Sequence, residues 1–110
     1  MKRWQMDITR DNAVDRKPAI VTENCERQLD EAIIYIEENS PQQAEIMRSQ
    51  FFEAIRLLER TPWIGIPYKD GMKRIKLGKF RYNIYYIELT DFISIRGIWH
   101  TSRGTEFEEN

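Results

Sequence analysis

The residues with most chemistry to offer lie between Gly71 and Arg103, a stretch that reads GMKRIKLGKFRYNIYYIELTDFISIRGIWHTSR. It holds the single histidine, His100, a tyrosine group (Tyr82, Tyr85, Tyr86) and the cations Arg74, Lys76, Arg81, Arg96 and Arg103. Cations on adjacent strands suit a phosphate backbone. Aromatic rings on a sheet stack on unpaired bases. The same set suits cleavage of RNA, with arginines steadying the charge on the phosphate and His100 exchanging a proton near neutral pH. The residues have a plainer use as well. A histidine at a strand end orients its neighbours, the tyrosines pack core and rim, and lysines and arginines keep one face of a sheet wet. No glycine-rich phosphate loop of the P-loop or dinucleotide-binding kind occurs. One His and one Cys, 75 positions apart, give no zinc-site spacing. No Ser-His-Asp pattern is legible, and neither a metal nor a cofactor is expected.

A chain of 110 residues holds one domain with room for one modest core. With 41% hydrophobic and 32% charged residues, its composition is that of an ordinary globular protein. The net charge of -1 conceals an uneven distribution: residues 1–68 carry -3, residues 69–103 carry +5 and the tail after Arg103 carries -3. Such asymmetry predicts a basic face that meets an anionic partner. Cys25 is alone, so no intramolecular disulfide can form, which fits a reducing cytoplasm. The N-terminus lacks the apolar core of a signal peptide, and no run approaches the roughly 18 apolar residues of a membrane span.

The elements that must position these residues follow from periodicity. In residues 1–18, Trp4, Met6 and Ile8 alternate with polar residues, which permits a strand, and a charged stretch then closes at Pro18. We treat 1–18 as an N-terminal extension, an arm or an edge strand. Ala19-Ile20-Val21 is a better strand, followed at once by a helix start at Thr22 with Glu23 and Glu26 in the first turn. The first helix is predicted over 23–38, with Cys25, Leu29, Ala32, Ile33 and Ile36 on one face. Ser40-Pro41-Gln42-Gln43 starts a second helix at once, with Ser40 as N-cap, Pro41 in the first helical position and Gln43 as capping-box partner. That implies an antiparallel helical hairpin. Ala44, Met47, Phe51, Ile55 and Leu58 form its second core face, and Thr61-Pro62 ends it.

Trp63 to Asp70 reads as a turn-rich connection. Three strand-like runs follow, Met72–Leu77, Phe80–Leu89 and Phe92–His100, the last two joined by a tight turn at Thr90-Asp91. Gly97 lies where the alternation of Ile93 and Ile95 changes phase to Ile98, which predicts a β-bulge there. The face taken by His100 depends on that bulge. The fold class is α+β in β-α-α-β-β-β order, with the helical hairpin packed on one face of a small antiparallel sheet. The opposite face is expected to be open, with Arg74 and Lys76 pointing towards it.

From Thr22 to Arg103 the chain resembles the toxin superfamily that includes RelE and ParE, the growth-inhibiting halves of bacterial toxin–antitoxin pairs. The resemblance rests on Cys25, Leu29, Ala32 and Tyr35-Ile36 in the first helix and on Pro62-Trp63-Ile64-Gly65 after the second. It continues through Met72-Lys73-Arg74-Ile75-Lys76-Leu77 and Phe80-Arg81-Tyr82-Asn83-Ile84-Tyr85-Tyr86, and closes on Ile93-Ser94-Ile95 and Ile98-Trp99-His100-Thr101-Ser102-Arg103. It covers about three-quarters of the chain and implies a toxin domain over 19–103, flanked by the extension 1–18 and an acidic tail at 104–110.

RelE-like members cut messenger RNA on the ribosome with basic residues and often a C-terminal tyrosine. That role would fall on His100, Arg74, Arg81 and Arg103. ParE-like members bind DNA gyrase and block it without being nucleases. The near-neutral charge and a tail with Phe107 but no tyrosine favour the ParE-like branch. The resemblance further implies a cytoplasmic toxin of a plasmid-stabilisation type. Its antitoxin would wrap the helices and sheet in a hetero-oligomer, with Arg74, Lys76, Arg81, Arg96 and Arg103 as the binding cations.

Overall fold

The computed structural model describes residues 17–109. The strand candidate at Trp4, Met6 and Ile8, and nearly all of the 1–18 extension, lie outside them. A short strand, β1 (Ala19–Val21), runs straight into helix α1 (Glu23–Glu37). Thr22 makes that junction. Its side-chain oxygen accepts the Cys25 N–H at 3.2 Å while its hydroxyl donates to the Ile95 carbonyl at 3.0 Å, so one residue caps the helix and ties it to the sheet. Helix α2 (Pro41–Arg60) begins as its sequence predicts, with the Ser40 hydroxyl accepting the Gln43 N–H at 3.2 Å and Pro41 in the first turn. Each helix buries the face predicted for it: Cys25, Ala32 and Ile33 on α1, and Ala44, Met47, Phe51, Ile55 and Leu58 on α2. Leu29 and Ile36 pack half-buried against the same core.

After α2 the chain makes a 3-10 turn (Pro62–Ile64) and then a two-residue strand, β2 (Ile66–Pro67), within the segment expected to be only a connection. A buried tyrosine holds this corner. Tyr86 donates its hydroxyl hydrogen to the Pro62 carbonyl at 2.7 Å and accepts the Gly65 N–H at 3.0 Å. The three long runs become β3 (Lys73–Lys76), β4 (Tyr82–Glu88) and β5 (Ile93–His100). The sheet order is β1-β5-β4-β3-β2.

The expected small antiparallel sheet is a five-stranded mixed one. The β2 to β5 ladders are antiparallel, but β1 lies parallel to β5, with Ala19 opposite Ile93 and Val21 opposite Ile95. The helical hairpin together with β2 to β4 forms the long connection that parallel pairing of β1 with β5 requires. The main core fills the space between helices and sheet, around Phe51, Tyr86, Ile84 and Ile95.

The opposite face of the sheet, expected from the alternation pattern to be open, is covered. Tyr85 and Met72 are buried there beneath Phe107, with Tyr68, Ile87 and Trp99 around them. A pleated strand sends alternate residues to opposite faces, and on β4 and β5 the second set is also aromatic. The acidic tail after Arg103 folds back and covers that stripe through Phe107, which has no exposed surface.

Candidate functional site

The bulge decides where His100 goes. Tyr85 pairs with Gly97 and Tyr86 with Ile95, so Arg96 is the extra residue, immediately before the glycine. Beyond it the alternation resumes in the opposite phase. His100 lies opposite Tyr82 on the helix-bearing face, while Trp99 faces the tail. The His100 and Tyr82 rings meet edge to face with centroids 4.9 Å apart. The Ser102 N–H donates to His100 Nδ1 at 3.0 Å, which leaves the proton of a neutral imidazole on Nε2.

These rings form one wall of a cleft of about 450 Å³, with Glu31, Tyr35 and Arg103 among its other lining residues. Burial pushes the Tyr82 hydroxyl above its ordinary pKa against the opposing effect of Arg103, so it is a hydrogen-bond donor at neutral pH. The Arg103 guanidinium lies 4.2 Å over the Trp99 ring, at the rim where the two faces meet. A hydroxyl, an imidazole, a carboxylate and a guanidinium around one cleft can bind a polar group and exchange a proton with it. Among the described residues no group of three or more His, Cys, Asp or Glu is arranged to hold a metal ion.

Helix α1 contributes residues that the sequence reading does not assign to a site. Strand β1 ends at Val21, so the outer edge of β5 beyond Ile95 has no neighbouring strand. Side chains of α1 cover it instead. Gln28 Oε1 accepts the Ile98 N–H at 3.0 Å and Asn24 Nδ2 donates to the Arg96 carbonyl at 3.3 Å. One and two turns further on, the same flank of the helix delivers Glu31 and Tyr35 to the cleft. The signal was a polar line at helical spacing, Gln28, Glu31 and Tyr35, beside the apolar face.

The other cations do not gather at this cleft. Arg74 is paired with Tyr85 and sits 5.7 Å over the Tyr68 ring, on the tail-bearing face. Paired residues share a face of the sheet, so Arg74 and His100 lie on opposite sides of it. Lys76 and Arg81 are exposed at the two ends of the β3–β4 connection. Arg96, aimed outward by the bulge, is held by both carboxylate oxygens of Glu109 at 2.6 and 2.9 Å, and it donates to the Ser94 hydroxyl at 3.2 Å. Lys69 binds Glu106 at 3.0 Å and Glu108 at 2.7 Å, and these hydrogen bonds push its pKa up. The +5 of the meander is therefore not one continuous basic face, because the tail neutralises part of it.

Comparison with known proteins gives the fold and the family. No curated protein matches the chain. Among solved structures, one described as the chromosomal ParDE toxin–antitoxin system from P. aeruginosa superposes with a TM-score of 0.69 at 16% identity, over 79% of this chain and 98% of that one. At that identity the likeness carries the fold. Residues 19–104 match the family described as the ParE toxin of the type II toxin–antitoxin system parDE, which spans both helices, all five strands and the cleft. The chain belongs to the ParE toxin family.

Proposed function

We propose that this chain is the toxin of a type II toxin–antitoxin pair, that it arrests growth in the bacterial cytoplasm by binding DNA gyrase, and that a cognate antitoxin neutralises it. The observation that carries the reading is the family match over residues 19–104. The geometry supports an inhibitor over a nuclease. The four residues a ribosome-dependent nuclease would need are split, with His100 and Arg103 at the cleft and Arg74 across the sheet. A binding protein needs no such convergence. The P. aeruginosa structure is described as a toxin–antitoxin system, which supports an antitoxin as this chain's partner.

The test is induced expression without antitoxin, following growth, plasmid supercoiling and messenger RNA together, with purified chain added to a gyrase supercoiling assay. Arrest with altered supercoiling and intact message is expected. His100→Gln should leave gyrase inhibition within about threefold of the unmodified chain, a shift below the roughly 1.4 kcal/mol that a tenfold change represents. Message cleaved on translating ribosomes, abolished by that substitution, would replace this reading with the nuclease one.

A further inference from the structure

We propose that the sheet face opposite the helices is a peptide-binding groove for an extended acidic segment with one aromatic anchor. In the free protein the chain's own tail fills it. The inference deepens the antitoxin part of the proposed function and rests on it only for the identity of the partner that supplies the segment.

The groove is built for a peptide. Its slot takes one ring: Phe107 stacks on Tyr85 with centroids 4.5 Å apart and planes 12° apart, and meets Trp99 at 6.0 Å. Its floor is Gly97, where an added Cβ would lie 2.3 Å from the Phe107 ring. Main-chain carbonyls are read by side-chain donors, the Tyr68 hydroxyl on Phe107 at 3.1 Å and the Trp99 indole N–H on Thr105 at 3.0 Å. Such donors recognise a backbone whatever its side chains. Cations stand at both ends, Lys69 for the carboxylates flanking the ring and Arg96 for the one after them. The bulge that aims Arg96 and the glycine that admits the ring are thus two parts of one device.

The resident ligand is built to leave. Residues 105–109 form no strand and have no ladder of backbone hydrogen bonds to the sheet. An incoming segment with an aromatic residue between carboxylates replaces each contact in kind. It can also gain one, since among the described residues Arg74 borders the groove over Tyr68 without a carboxylate partner. A partner's segment that also places a carboxylate at that cation would outcompete a tail that has the advantage of being tethered.

The experiment uses the full chain carrying Phe107→Ala, which empties the slot, and a synthetic peptide of the natural tail sequence GTEFEEN. Binding is followed by amide chemical shifts. We expect saturable binding with the largest shifts at Tyr85, Gly97 and Trp99, at least tenfold weaker binding to the unsubstituted chain, and none for a peptide with alanine at the phenylalanine. If Phe107→Ala fails to fold, the variant Glu106→Gln/Glu108→Gln/Glu109→Gln keeps the ring and should bind the peptide better than the unsubstituted chain. Equal binding to variant and parent, or shifts confined to other faces, would overturn the groove. A concentration-dependent dimer of the parent that Phe107→Ala abolishes would assign the groove to a second copy's tail and overturn the partner. Growth arrest and its rescue by a co-expressed antitoxin test the proposed function separately. If both persist while the peptide fails to bind, the groove alone is lost.

Discussion

Removing the ring of Phe107 should cost far less than removing a ring of comparable burial from the main core, and the difference is calculable. Full burial of a phenylalanine is worth about 1.5–3 kcal/mol and a stacked aromatic pair about 0.5–1.5 kcal/mol more. Against this stands the entropy lost in ordering the tail backbone, which offsets most of the gain from the ring and from the tail's contacts with Lys69, Arg96, Tyr68 and Trp99. The net gain from docking the tail is therefore small. When the ring goes, the tail lets go, and the loss is capped at that net gain instead of including a cavity. We expect Phe107→Ala to destabilise the chain by about 1–2 kcal/mol. Phe51, on α2 and 1% exposed, has no such escape, and Phe51→Ala should cost about 3–5 kcal/mol. Urea unfolding followed by circular dichroism gives both values. Hydrogen exchange at the Trp99 indole, which donates to Thr105, reports tail release directly. A loss for Phe107→Ala as large as for Phe51→Ala would refute the reasoning, because the tail would then be an integral part of the fold. A loss below about 0.5 kcal/mol, within the range of ordinary surface substitutions, would mean the ring is not seated in solution.

Tyr86→Phe leaves the Pro62 carbonyl and the Gly65 N–H without their shared partner and should cost about 1–3 kcal/mol in the same urea experiment; an unchanged midpoint would show that the corner holds without it. Burial raises the pKa of both Tyr82 and Tyr86 above the ordinary 10.0, so the unfolded chain loses these protons first. The stability they contribute is complete below about pH 10 and falls as pH climbs through their folded-state values, and Tyr82→Phe should flatten that alkaline decline in urea midpoints. The double reversal Arg74→Glu/Arg81→Glu should raise the dissociation constant of the antitoxin complex at least tenfold, about 1.4 kcal/mol, by calorimetry. Unchanged affinity would remove those cations from the interface.

The features legible in the chain alone are local. Thr22, Ser40 and Pro41 start their helices because a cap needs only the next turn, and the apolar faces of α1 and α2 follow from a 3.6-residue period. The change of alternation across Gly97 marked the bulge for the same reason. The motifs of the resemblance were legible too, because each is a short run. The remaining features depend on packing between residues far apart in the chain. Ala19 meets Ile93, more than 70 positions away, and nothing in three residues of β1 states whether that pairing is parallel. His100 takes the helix-bearing face because one extra residue, Arg96, shifts the phase of β5, and Glu31 and Tyr35 reach it from another element. The acidic tail is the cover of the second sheet face. A phenylalanine among glutamates carries no periodic signal, and only the stripe of Tyr85 and Trp99, assembled from two strands, gives its ring a place to go.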